Sequence, residues 1–325
     1  MIHTKILSVI CIVIIVLGTA TTPVIKAFFS ANRSTSREND ITITSTRTIK
    51  IGFMLQKCDW MDSFVKLALA QYKTCLREGE KKYNVDFELR ILEDNFNSGA
   101  IHNGALEHSD FDVLLGPGGY GSWYTSETYR EKIRNFVANG GGYYGICGDS
   151  TFGGFKPEIS EEYEKLIKKL FGIKDVTDML GIANVRSNIT IFEEMIGDPD
   201  DFSMIKMFKL LLQLVTSRVP VRFLRTDITI QEIFFDNTVT LMLGNVPLID
   251  TDETGMSEVI DIGIFEGYDA PYPNSIVGGT AIIATAYGAG RVVLSAPHAE
   301  LTIGNSNAYH VFVRNLLWAA NALPE

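Results

Sequence analysis

Cys147 stands between two glycines in Gly145-Ile146-Cys147-Gly148, directly after Gly140-Gly141-Gly142-Tyr143-Tyr144. A short apolar strand that stops at a Gly-flanked cysteine has the form of a nucleophile elbow. Glycine on either side lets the backbone turn sharply and leaves the sulfur exposed above the sheet edge. Backbone N–H groups at a turn into a helix favour a thiolate there. The alternative is a buried structural cysteine, since free cysteine is among the most buried residue types.

About 150 residues later comes Val292-Val293-Leu294-Ser295-Ala296-Pro297-His298-Ala299-Glu300. If this segment is extended, His298 and Glu300 point the same way. The imidazole would then accept the Cys147 proton while Glu300 orients the ring. His102, His108 and His310 have no comparable setting and read as surface or core histidines. A third strand end supplies Gly116-Pro117-Gly118-Gly119-Tyr120-Gly121. The amides of Gly119 and Gly148 are candidates for an oxyanion hole, and Tyr120 and Asp149 for substrate contacts. No Gly-Lys-Ser/Thr follows this loop and the dinucleotide-binding glycine spacing is absent. No Cys/His cluster has metal-ligand spacing either. No cofactor and no metal are therefore expected.

These residues need a scaffold that brings strand ends together. Strands alternate with helices, which argues for a doubly wound, mostly parallel sheet covered on both faces. Strands are expected at Ile49–Leu55, Phe87–Leu92, Phe111–Leu115 and Gly142–Ile146. Helices are expected over Met61–Glu78, where Phe64, Leu67, Ala68, Tyr72 and Cys75 make an apolar stripe, within Ser126–Ala138, and over Glu161–Phe171. Residues 173–225 break the pattern and read as a helical insertion built on the apolar stripe of Phe202–Val219. Further strands are expected at Ile228–Phe234, Thr238–Leu243, Val259–Phe265 and Ala281–Ala286. The last joins Arg291–Ser295 through Tyr287-Gly288-Ala289-Gly290 as a hairpin, and a helix lies within Ala308–Asn321.

The chain has 325 residues, 46% hydrophobic and 21% charged, enough for one large core. A net charge of −10 gives no electrostatic case for nucleic-acid binding or for an anionic membrane surface. Lys5 precedes the apolar run Ile6–Leu17 and Gly18-Thr19-Ala20, the form of a secretory signal. Export is expected, with membrane anchoring through residues 6–20 as the alternative. Residues 1–29 are thus a signal or anchor, 30–47 a polar linker and 48–325 the folded domain. Cys58 and Cys75 would stand roughly 20 Å apart along the first helix, too far to pair. No disulfide is expected.

Three segments together resemble the class I glutamine amidotransferase-like superfamily, and most closely the family named for the N-terminal domain of biotin-protein ligases. They are Leu114–Tyr120, Gly140–Gly148 and Tyr287–Glu300, within a resemblance spanning roughly residues 48–322. The resemblance implies a flavodoxin-like α/β fold with Cys147 as nucleophile, His298 as base and Glu300 as orienting acid. Two positions depart from glutaminase members: Thr151 replaces the glutamine four residues after the cysteine, and Ala299 replaces a common proline. No segment reads as an ammonia-accepting synthase or a biotin-ligase catalytic domain. The expected function is therefore an exported cysteine hydrolase acting on a small-molecule amide or peptide-like substrate. The alternatives are a catalytically silent binding module, and a glutamine amidotransferase subunit that needs a partner synthase.

Overall fold

Near-continuous apolar runs become strands buried on both faces, and four such runs organise this molecule. The computed structural model describes residues 47–56, 61–119, 121–171, 175–203, 216–224, 238–251 and 253–323, with positions 206, 209, 210 and 213. In chain order the elements are β1 (Arg47–Gln56), α1 (Met61–Tyr83), β2 (Val85–Asp94), β3 (Val113–Gly116), α2 (Glu127–Ala138), β4 (Gly142–Ile146), α3 (Gly148–Gly153) and α4 (Glu161–Phe171). There follow β5 (Val185–Ser187), α5 (Ile189–Ile196), β6 (Arg218–Phe223), β7 (Thr238–Leu243), β8 (Leu248–Asp250), β9 (Ile260–Phe265), β10 (Thr280–Tyr287), β11 (Gly290–Ser295), β12 (Pro297–His298) and α6 (Ser306–Ala319).

The described strands form one 12-stranded sheet in the order β12-β7-β6-β9-β10-β11-β4-β3-β1-β2, with β8 pairing β10 and β5 pairing β8. Strands β2, β1, β3, β4 and β11 run parallel. Every residue of β3 and β4 is buried, as a strand covered on both faces requires. At the edge, β2 alternates in burial and turns charged residues such as Glu88 and Arg90 outward, which discourages pairing with another chain.

Adjacent residues of a strand face opposite sides, and β4 uses this directly. Tyr144 packs its ring 5.7 Å from Phe312 of α6, while the Tyr143 hydroxyl donates to the Asp149 carbonyl of α3. Helices therefore cover both faces of the parallel block. Helix α1 packs beside α6, and Tyr129 of α2 lies beside Phe152 of α3.

The expectation of a mostly parallel sheet holds for five strands. The other seven join antiparallel. The reversal begins at the tight β10–β11 turn, where Tyr287 pairs with Gly290 and Gly288 adopts φ +60°. Residues 173–225 also differ from a purely helical insertion, because β5 and β6 lie within them and enter the sheet. Positions 206, 209, 210, 213 and 216 are helical, but Arg218 and Val219 already belong to β6. Burial alternates along Arg218–Phe223, a period-two pattern that a helix cannot satisfy. The strand expected at 228–234, Cys58 and the N-terminal segment lie outside the described residues. Among the described residues no helix is long and apolar enough to cross a membrane.

Candidate active site

Parallel strands put their carboxyl ends at one sheet edge, where ligand sites of open α/β folds form. The register aligns Gly116 of β3 with Gly145 of β4, and Ile146 with Ser295 of β11. The segments just beyond these ends, Gly118-Gly119, Cys147-Gly148 and Pro297-His298, therefore converge.

Cys147 occupies the junction of β4 and α3 with φ +54° and ψ −119°. Such a backbone costs a non-glycine residue on the order of 1–3 kcal/mol and persists only where neighbours hold it. Several hydrogen bonds do so. The Cys147 amide donates to the Ser295 carbonyl at 2.8 Å. The Cys147 carbonyl accepts from the Ser150 amide at 3.0 Å, the Ser150 hydroxyl at 2.5 Å and Asn245 Nδ2 at 2.6 Å. Trp123 Nε1 holds the Gly148 carbonyl at 3.0 Å. At about 1 kcal/mol each, these bonds are enough to hold the strained turn.

The glycines at this junction are required by close approach. A Cβ on Gly118 would meet Cys147 Cβ at 2.9 Å and His298 Cε1 at 3.4 Å. A Cβ on Gly148 would lie 1.9 Å from the Gly119 carbonyl oxygen. The Gly-rich loop and the elbow are thus fitted against one another.

His298 and Glu300 also come together. His298 Nδ1 lies 2.6 Å from Glu300 Oε1, with the histidine 6% exposed and the glutamate 0%. The extended backbone expected for this contact ends at His298, and Ala299-Glu300 turns. Strand β12 pins the histidine by pairing with Met242 and Leu243 of β7. The Thr302 hydroxyl adds a bond to the His298 carbonyl at 2.8 Å. Burial disfavours the charged ring, but the Glu300 carboxylate and the Cys147 sulfur outweigh it and push His298 up to about 10.

Asp149 has a different place from the substrate contact expected of it. It is 4% exposed, and its Oδ2 accepts from the Gly118 amide at 2.8 Å. Its carboxylate is spent on holding the Gly-rich loop, and burial pushes it up to about 6. Thr151 is fully buried, with its hydroxyl 2.6 Å from Ser187 Oγ. Tyr120 lies outside the described residues.

Three neighbours escaped the sequence analysis. Cys147 Sγ donates to the Gly244 carbonyl at 3.2 Å, and a Cβ on Gly244 would lie 2.6 Å from His298 Nε2. Asn245 follows, with Nδ2 also 2.9 Å from Thr151 Oγ1. Gly244-Asn245 carries only a turn signal in sequence. The third is Tyr72 of α1, whose hydroxyl lies 2.8 Å from Glu300 Oε1. In sequence it is one more member of a helical apolar stripe.

A second chain of polar groups lies outside this cluster. Asp94 Oδ1 is 2.9 Å from His102 Nδ1, and His102 Nε2 is 2.8 Å from Ser126 Oγ. Ser126 caps α2 by accepting from the Tyr129 amide, and Asp94 also accepts from the amides of Ile101 and His102. This chain fastens the loop after β2 to α2, a structural duty for His102. Among the described residues no group of three or more His, Cys, Asp or Glu side chains is arranged to hold a metal.

No family model matches the chain, so the expected likeness to biotin-protein ligase N-terminal domains gains no support there. No curated protein matches it either. Among solved structures it is similar to a ThuA-like protein from Parabacteroides merdae, at 11% identity and TM-score 0.46, covering 86% of this chain and 92% of that one. A ThuA-like protein from Bacteroides uniformis is similar at 10% identity and TM-score 0.45, covering 87% and 95%. A GH42 β-galactosidase from G. stearothermophilus is similar at 14% identity and TM-score 0.39, covering 86% of this chain and 31% of that one. The chain thus spans about a third of the galactosidase. None of these likenesses assigns a role to any residue.

Proposed function

We propose that the chain is a cysteine hydrolase of the class I glutamine amidotransferase-like fold, cleaving an amide or peptide-like bond. The parallel order β2-β1-β3-β4-β11 is the order of flavodoxin-like sheets and supports that finer fold assignment. The observation that carries the activity is the left-handed backbone of Cys147, which turns a thiol toward a histidine already paired with a buried carboxylate.

Cys147 Sγ would attack the carbonyl carbon, with its proton passing to His298 Nε2. The amides of Gly119 and Gly148 would hold the oxyanion. Collapse breaks the C–N bond and leaves a thioester on Cys147, while His298 returns the proton to the departing amine. Water then attacks the thioester, with His298 taking its proton and giving it back to the thiol. Glu300 holds the ring through Nδ1 throughout. Export through the N-terminal apolar segment belongs to the same proposal, with a small-molecule amide or peptide as substrate.

The test is the pH profile of Cys147 alkylation by iodoacetamide, followed by peptide mass mapping, with His298→Ala alongside. Reaction at pH 6–7, where an ordinary thiol of pKa about 8.5 is nearly all protonated, and its loss in the variant are expected. The proposal also expects an amidase or peptidase activity that Cys147→Ala abolishes. A thiol that reacts only at alkaline pH and ignores His298 overturns it.

One contact favours a second reading. Cys147 Sγ is engaged by the Gly244 carbonyl, which suits a catalytically silent module that binds small amides or carboxylates in the cleft. Ligand-induced thermal stabilisation that survives Cys147→Ala, without turnover, would select this reading.

A further inference from the structure

The acid of the cluster is bonded in a lopsided way. Glu300 Oε1 meets both His298 Nδ1 at 2.6 Å and the Tyr72 hydroxyl at 2.8 Å. Its Oε2 is buried with no hydrogen-bond partner among the described residues. A fully buried carboxylate is oriented by the donors it receives, and here both converge on one oxygen. Tyr72 is itself buried, its ring 5.2 Å from Phe53 and 5.6 Å from Phe312. The hydroxyl is therefore fixed by packing on both sides.

The same hydroxyl also lies 3.1 Å from the carbonyl of Pro117, the residue before Gly118-Gly119. A phenol has one proton to give and can also accept. It donates to Glu300 Oε1, the nearer of the two acceptors. The hydroxyl is thus placed between the acid and the residue that precedes the Gly-rich loop.

We infer that Tyr72 is a positioning residue of this site, holding the Glu300 carboxylate with Oε1 turned to His298. This rests on the proposed Cys147–His298–Glu300 chemistry and adds a member from α1. The other titratable groups around Glu300 are Cys75 of α1, whose thiol donates to the Glu300 main-chain carbonyl at 3.5 Å, Tyr144 of β4, Cys147 and His298. Burial pushes Cys75 and Tyr144 upward, so both are neutral at neutral pH. None of these groups replaces the Tyr72 donor.

The experiment compares Cys147 alkylation profiles for the wild type, Tyr72→Phe, Glu300→Gln, the double variant and His298→Ala. Tyr72→Phe keeps the ring and removes only the hydroxyl. Without the hydroxyl, Oε1 is no longer held toward His298, so the profile should move up and the alkylation rate at pH 6.5 should fall about tenfold. Glu300→Gln should move it the same way, and Tyr72→Phe should add nothing in that background. A Tyr72→Phe profile that is unmoved or moves down, while His298→Ala shifts it, overturns this inference alone. A full-sized further shift in the Glu300→Gln background, or no shift from Glu300→Gln, also overturns it. An unmoved profile in His298→Ala overturns the proposed function and this inference with it.

Discussion

The α-carbon of Gly148 faces the carbonyl oxygen of Gly119 so closely that a methyl group there would sit 1.9 Å from that oxygen. Residues 29 apart in sequence, at the ends of two neighbouring parallel strands, are thereby fitted as one surface. Gly148 cannot gain a side chain without moving the Gly119 carbonyl.

Gly148→Ala should therefore push the Gly-rich loop away from the elbow. A backbone clash of this size costs about 1–3 kcal/mol. Thermal unfolding should show that loss, and Cys147 alkylation near neutral pH should slow at least tenfold. Wild-type behaviour in both would mean that the loop relaxes freely.

His298 sets a pH dependence of stability. Its value is raised from 6.5 to about 10 in the fold, so the folded state binds the extra proton. The resulting stabilisation is fully present below about pH 6.5 and is lost as pH rises through 10. The stability gap between the wild type and His298→Gln should narrow steadily across that window. Urea midpoints at pH 6, 8 and 10 would measure it.

Asp149 works in the same direction through a different cause. Burial raises it from 3.8 to about 6, so its favourable contribution is complete below pH 3.8 and gone once pH passes 6. Above that, the fold carries a buried charge with a bond to the Gly118 amide. Asp149→Asn keeps an acceptor for that amide without the charge. At pH 8 it should be more stable than the wild type by about 3 kcal/mol, and the difference should vanish near pH 4.

Asn245→Ala removes the side chain that reaches Cys147, Ser150 and Thr151. The Cys147 carbonyl keeps its Ser150 donors, and Thr151 keeps Ser187. The stability cost should be small, about 1 kcal/mol. Alkylation of Cys147 should respond more strongly, because the strained turn loses its brace from the β7–β8 connection. Unchanged alkylation with a measurable stability loss would make Asn245 a purely structural residue.

Much of the site was legible because its signals are local. Gly145-Ile146-Cys147-Gly148 declares a strand end and a sharp turn within four residues, and the structure has β4 ending at Ile146 with Cys147 at φ +54°. His298 and Glu300 are two residues apart, so any turn that buries both brings them into contact. Strand β7, expected at Thr238–Leu243, and the β10–β11 hairpin also carry their period and turn residues in a few positions. The reverse holds for Asp149. Its place after Cys147 suggested a substrate contact, but which way it faces depends on the glycine at 116, against which its carboxylate packs.

By itself, the sequence determined where the backbone must turn, which strands are buried on both faces, and which cysteine, histidine and carboxylate lie at or just beyond strand ends. Those properties follow from glycine freedom and hydrophobic period, which act over a few residues. Only the tertiary structure decided that the sheet continues into seven antiparallel strands, that Gly244 covers the thiol from 97 residues away, and that Tyr72 meets Glu300 across 228. An aromatic side chain on an apolar helical stripe satisfies the core whether or not its hydroxyl finds a partner. Whether it finds one depends on how helix and strand are stacked, and no pattern within the helix records that.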